Sequence, residues 1–180
     1  MSHRIGERFQ FLVGGLKQGG PVTDAAADGT GQLLAAATRT HVALWDARSG
    51  ATLHAWNDLA RVGSLALSAD GQWLAIAHES AGHAAVIRVW DCRAGREHLV
   101  LRGHTDHITW LAFSPDSRRL ASASYDRTVR LWEPVTGMPA ATLFDHGYRV
   151  TSVAWSGDGA WLVSGAGDGL VRFRCAAGLR

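Results

Sequence analysis

Between Gly103 and Glu133 the chain reads "GHTDHITWLAFSPDSRRLASASYDRTVRLWE", which sets a histidine, several serines, an aspartate and a tryptophan at regular-looking offsets. Serine, histidine and aspartate are the parts of a nucleophilic triad, in which the imidazole takes the hydroxyl proton and the carboxylate fixes the imidazole's tautomer. The same residue types also make buried hydrogen-bond chains whose only task is to hold strands together. A second chemistry is suggested by His104-x-x-His107, which has metal-ligand spacing but no third ligand placed nearby, so no metal is expected. His78 and His83 flank the loop "HESAGHAA" and are expected to be solvated. Cys175 reads as a small rim or core residue in preference to a reactive thiol. Which chemistry applies depends on whether the spacing recurs and on what elements carry it.

The spacing does recur. Four segments align without gaps over thirteen residues: "VTDAAADGTGQLL" from Val22, "VGSLALSADGQWL" from Val62, "ITWLAFSPDSRRL" from Ile108 and "VTSVAWSGDGAWL" from Val150. A fixed period in this range marks an array of supersecondary units. Each segment is an apolar run, a turn ("DGTG", "SADG", "SPDS", "SGDG") and a second apolar run. Gly accepts positive φ there, and Asp and Ser bond back to their own backbone, so two antiparallel strands are predicted. A third strand follows in "HVALWD", "VIRVWD", "TVRLWE" and "LVRFRC", and a fourth in "ATLHAW", "REHLVL" and "MPAATL". The innermost strands are apolar nearly throughout, which predicts sheets covered on both faces, as in blades stacked around an axis. Trp73 and Trp161, at equivalent positions, are expected to pack between blades. The expected organisation is one domain over 1–180: a closing strand and link (1–20), then blades over 21–60, 61–102, 103–144 and 145–180.

Composition excludes several classes of function. The 180 residues carry a formal charge of +2, and the largest basic cluster is little more than Arg118-Arg119, which is a weak case for nucleic acid. No window approaches the roughly 20 apolar residues of a spanning helix. The N-terminal "MSHRIGERFQFLVGG" has no long apolar core, and Cys92 and Cys175 show no disulfide spacing, so a cytoplasmic protein without membrane attachment is expected.

Gly103-His104, the turn "SPDS", the hairpin "SYDRTVRLW" and the pairs Trp45-Asp46 and Trp90-Asp91 together resemble the WD-repeat family of β-propellers. The resemblance implies an all-β fold of four four-stranded antiparallel blades. It also implies that the ring is closed by the N-terminal strand "RFQFLVGG" completing the last blade, within one chain or by exchange in a dimer that would form an eight-bladed ring. It implies a structural network of His104, Ser122 (or Ser124, of the same strand parity), Asp126 and Trp132. The set returns in part 42 residues on (146 − 104) as His146, Ser164 and Asp168. Repetition favours structure over catalysis, and no nucleophile elbow surrounds either serine. No enzyme activity and no cofactor are therefore expected. Blade 4 has Arg174 in the tryptophan slot, while blades 2 and 1 have Asp58 and Gln18 in the histidine slot. Only blade 3 is complete, so blades 1 and 2 are expected to rest mainly on apolar packing.

By function the family implies a non-catalytic scaffold that presents one end of the propeller to protein partners. The positions that carry over are Thr23, Arg61, His107, Thr109, Tyr125, Arg149 and Thr151. An alternative is a regulatory or sensory subunit of a multi-protein system, with a ligand in the central channel.

Overall fold

The computed structural model describes residues 20–57, 59–79 and 85–179, and its strands form four antiparallel sheets in chain order. Blade 1 runs β1 (Asp24–Ala27), β2 (Leu33–Ala37), β3 (Val42–Asp46), β4 (Thr52–Trp56). Blade 2 runs β5 (Val62–Leu67), β6 (Trp73–Glu79), β7 (Ala85–Asp91), β8 (Arg96–Arg102). Blade 3 runs β9 (Ile108–Phe113), β10 (Leu120–Ser124), β11 (Val129–Trp132), β12 (Pro139–Leu143). Blade 4 runs β13 (Val150–Trp155), β14 (Trp161–Ala166), β15 (Val171–Cys175), three strands among the described residues. The strand expected from "RFQFLVGG", together with Gln18, Asp58 and His83, lies outside them.

One turn chemistry builds the first hairpin of every blade. The last turn residue has positive φ in all four: Gly31 (67°), Gly71 (69°), Ser117 (60°) and Gly159 (70°). Glycine adopts this at no steric cost. Ser117 is compensated by a contact between blades, its Oγ accepting from the Asp70 N–H at 3.1 Å. The first turn residue closes the loop from inside. Ser68, Ser114 and Ser156 each accept at Oγ from the N–H five residues on, at 2.9 Å, and donate to the turn aspartate. In blade 1 Asp28 takes that place, accepting from the Leu33 N–H at 2.9 Å.

Successive blades pack side by side through their innermost strands, β1 on β5, β5 on β9 and β9 on β13, and no comparable contact joins β13 back to β1. Among the described residues the blades therefore form an open row. Side chains tie the hub. Asp24 accepts from Ser64 Oγ and the Leu65 N–H, both at 2.9 Å, Thr109 Oγ1 donates to the Val150 carbonyl at 2.8 Å, and Trp155 Nε1 donates to the Ala112 carbonyl at 3.2 Å.

The core is three apolar clusters, one between each pair of neighbours. Burial of both faces, expected for every inner strand, holds for β5, where Leu65, Ala66 and Leu67 are all buried. It fails for β1 and β13, which alternate or stay largely open, because an end blade has a neighbour on one side only, and in part for β9, where Trp110 is 45% exposed. Trp73 packs on His98 of β8 in its own blade, with ring centroids 4.5 Å apart, whereas its counterpart Trp161, in a blade with no fourth strand among the described residues, is 47% exposed.

Candidate functional site

In blade 3 the strands bring four polar groups into one line. β10 points Ser122 between the blades, β11 sets Trp132 diagonally across from it, and the loop before β9 delivers His104 from above. Trp132 Nε1–H donates to Ser122 Oγ at 2.9 Å, Ser122 donates to His104 Nε2 at 2.7 Å, and His104 Nδ1–H donates to Asp126 Oδ2 at 2.7 Å. The proton positions are assigned from the partners: the indole can only donate, the Asp126 carboxylate can only accept, so the neutral imidazole carries its proton on Nδ1 and accepts at Nε2. Asp126 also accepts from the Thr128 hydroxyl (2.6 Å), the Thr128 N–H (2.9 Å) and the Thr105 N–H (3.1 Å). Burial works against its ionisation, but the hydrogen bonds from His104 and Thr128 outweigh it and hold the carboxyl well below the usual carboxylate range. Ser124 stands outside the line, bonding the Asp106 carbonyl and the Asp126 N–H.

Blade 4 reuses three of these residues with the protons reversed. Ser164 Oγ is 2.8 Å from His146 Nε2, and Asp168 Oδ2 is 3.2 Å from Nδ1. Arg172 Nη1 stands closer to Nδ1, at 2.8 Å, and also reaches Asp168 at 3.2 Å. A guanidinium has no lone pair to offer, so Nδ1 accepts from Arg172 and Nε2–H donates to Ser164. Asp168 is lowered to about 2; burial opposes this, and the hydrogen bonds from the Leu170 and Gly147 N–H groups outweigh it. Arg174, in the tryptophan's place, pairs with Asp145 and leaves its buried Nη1 without an acceptor.

Blade 2 lacks the line altogether. Ile76 stands where Ser122 does, and the buried Nε1 of Trp90 has no hydrogen-bond partner. His78, expected in solvent, is instead 6% exposed: Arg88 Nε donates to its Nε2 at 2.8 Å, and its Nδ1–H donates to the Glu79 carbonyl at 2.7 Å. Its pKa is pushed down, by burial first. The repeated arginine of "VIRVW", "TVRLW" and "LVRFR" (Arg88, Arg130, Arg172) was the available signal for these contacts.

The end of the row that carries the histidine loops presents a connected ridge. Arg61 Nη1 meets Glu79 Oε1 at 3.1 Å, Glu79 Oε1 lies 3.7 Å from His107 Nδ1, His107 packs edge-on to Tyr125 with centroids 5.5 Å apart, and Arg149 sits 4.7 Å over the Tyr125 ring. Burial and the nearby Arg61 charge lower the His107 pKa. Glu79 was not singled out from sequence because a lone glutamate beside a loop carries no pattern. Thr23, Thr109 and Thr151 stand apart from this ridge, their hydroxyls donating to the carbonyls of Ala37 (3.3 Å), of Ala123 and Val150 (3.1 and 2.8 Å) and of Gly165 (3.1 Å).

Both ring nitrogens of His104 are engaged, and among the described residues no three His, Cys, Asp or Glu side chains are placed to hold a metal ion. Cys92 is buried, which pushes its thiol up to about 12, and Cys175 is an exposed rim residue. No described helix is long and apolar enough to cross a membrane.

Comparison with known proteins agrees with this architecture. The family model "WD domain, G-beta repeat" matches residues 95–133 and 137–173, which span β8 to β11 and β12 to β15. Coronin-7 of Rattus norvegicus is 47% identical over 47 residues, 26% of this chain and 5% of that protein. Coronin-7 of Homo sapiens is 43% identical over 47 residues, with the same coverage. An uncharacterized WD repeat-containing protein of Synechocystis is 48% identical over 60 residues, 33% of this chain and 16% of its own length. The chain thus spans only a small part of these relatives. It carries two WD repeats, over residues 95–133 and 137–173, and the hydrogen-bond line of blade 3 lies within the first of them.

Proposed function

We propose that this chain is a non-catalytic protein–protein interaction scaffold whose contact surface is the ridge Arg61–Glu79–His107–Tyr125–Arg149. WD repeats generally mediate protein–protein interaction. The observation that carries the assignment is the continuity of the ridge: five side chains from three blades touch in sequence on the loop end. An aromatic ring flanked by arginines is the composition that dominates interface energetics. The hydrogen-bond lines in blades 3 and 4 serve it indirectly, fixing the loops that carry His107 and Arg149, and supply no nucleophile. Ring formation belongs to the same proposal, because a surface spanning several blades acts as one only when the blades are held in register.

The test is a double substitution, Tyr125→Ala with Arg149→Ala. It should weaken capture of partner proteins at least tenfold while moving the thermal midpoint by no more than a few degrees. Undiminished capture would move the contact surface elsewhere. A second reading, a ligand held on the hub side, draws on the exposure of Trp110 (45%) over a groove of about 370 Å³ also lined by Ala27, Leu67, Phe113 and Trp155. Trp110→Ala would then remove function while the ridge variant kept it.

A further inference from the structure

Equivalent positions in the four blades show what each sheet face lacks. The forward face of blade 3, Ala121, Ala123, Val129 and Leu131, is wholly buried in one cluster with Val150, Val153 and Leu162 of blade 4. The forward faces of blades 1 and 2 are buried in the same way, in clusters with Val62 and Leu65 and with Ile108 and Leu111. The chain therefore makes one kind of interface three times, a forward face of one blade on the backward face of the next.

Both halves of that interface also occur unpaired. The forward face of blade 4 has Val171 and Phe173 in the places of Val129 and Leu131, and these are 60% and 67% exposed, with Trp161 beside them. At the other end Val22 occupies the position of Val62, Ile108 and Val150. Those three are 4%, 2% and 0% exposed, whereas Val22 is 59% exposed, and Ala25 in the next inward position is open as well. Towards the rim the backward face of blade 1 is closed, with Ala43 and Trp45 buried, so its open part is the hub half. The two open faces belong to β1 and to β14 and β15, and among the described residues β1 makes no contact with blade 4 comparable to those between successive blades.

We propose that two copies of this chain join head to tail, the Val171–Phe173 face of each covering the Val22–Ala25 face of the other, to form a ring of eight blades. Among the described residues one copy carries one face of each kind and the row of four does not close on itself, so the smallest head-to-tail ring that covers both faces holds two copies. The new contacts repeat an interface that already exists three times in the chain. The formal charge of +2 opposes association only weakly. Large exposed aromatic and aliphatic side chains grouped on one face are uncommon on monomers. The inference does not depend on what the upper ridge binds.

The experiment uses the full chain with Cys175→Ser as background. Light scattering should report about twice 19.3 kDa, and Phe173→Glu should return it to the mass of one chain with its strand signal in circular dichroism retained. The pairing of the two faces is checked independently by cross-linking. Val22→Cys and Val171→Cys, equivalent to the neighbours Val150 and Val129, should form a disulfide-linked dimer when mixed and none when either is oxidised alone. Four results would overturn the proposal: a parent protein of 19.3 kDa at tens of micromolar, a mass other than two chains, a dimer from Val171→Cys alone, which would mean face-to-face pairing, or an intramolecular link when both substitutions share one chain.

Discussion

Blades 3 and 4 place a histidine, a serine and an aspartate at identical spacings, yet the two hydrogen-bond lines run in opposite directions. In blade 3 the carboxylate of Asp126 can only accept, so His104 donates to it from Nδ1 and accepts at Nε2 from Ser122, whose Oγ in turn accepts from Trp132. In blade 4 the tryptophan is replaced by Arg174, nothing donates to Ser164 from that side, and Arg172 occupies the imidazole's other nitrogen. The shared residues therefore specify a location, while the unshared Arg172 reverses the polarity. Blade 3 also has a neighbour on each side, and blade 4 has one. The histidine and serine are buried in both blades, and only the aspartate is more open in blade 4, with Asp126 at 6% and Asp168 at 14% side-chain exposure.

The sharpest way to break this comparison is at the serine. Ser122→Ala orphans two buried groups at once, the indole N–H of Trp132 and Nε2 of His104, and should cost about 2 to 6 kcal/mol, since each orphan costs about 1 to 3. Ser164→Ala orphans only His146 Nε2–H and should cost clearly less. Urea midpoints of the two variants read the difference directly, and equal midpoints would mean that the tryptophan adds nothing to the line.

A smaller effect is expected at the carboxylates. Asp126→Asn should destabilise by about 1 to 3 kcal/mol, because the amide cannot accept from His104 and both Thr128 donors as a carboxylate does; Asp168→Asn should do less. Acid sharpens the distinction. Both carboxyls lie below their unfolded values, so the stability they add is complete above about pH 4 and is lost as pH falls through the folded pKa. For Asp168 that loss runs from about pH 4 to about 2, and for Asp126 it continues lower. Denaturation midpoints measured between pH 5 and 2 should fall less steeply in each Asn variant than in the parent. Parallel curves would count against the assignment.

The contrast also shows what was legible in the chain. The hairpins were, because their turns are local: an Asp or Ser bonding its own backbone and a Gly at positive φ need no distant partner. The line in blade 3 was legible through the resemblance, being built from residues at fixed offsets in one repeat. The exposure of β1 and β13 was not, since apolarity of a strand says that a face seeks cover and not whether a neighbour exists. Nor was the burial of His78. It lies in the Ser124 register of β6 and is held by Arg88, a strand residue that reads as an ordinary surface cation until its partner is known.

Blade 2 offers the finest test, because it has the tryptophan without the serine. Trp90 Nε1 is buried and unpaired, and the residue in Ser122's register is Ile76, wholly buried. Ile76→Thr keeps the β-branch, removes two buried carbons worth roughly 1.6 kcal/mol at about 0.8 each, and puts in the place of one of them a hydroxyl that can accept from the orphaned indole. Relief of the unpaired donor, about 1 to 3 kcal/mol, offsets the lost burial, so the variant should stay within about 1 kcal/mol of the parent. Ile87 is the matched control: equally buried, on the opposite face of the same blade, with only apolar residues in its cluster. There the new hydroxyl is unpaired, at a cost of about 1 to 3 kcal/mol, so Ile87→Thr should unfold at clearly lower urea. If the two threonine variants fall together, the indole of Trp90 does not feel the residue at position 76, and the argument drawn from Trp132 would not extend beyond blade 3.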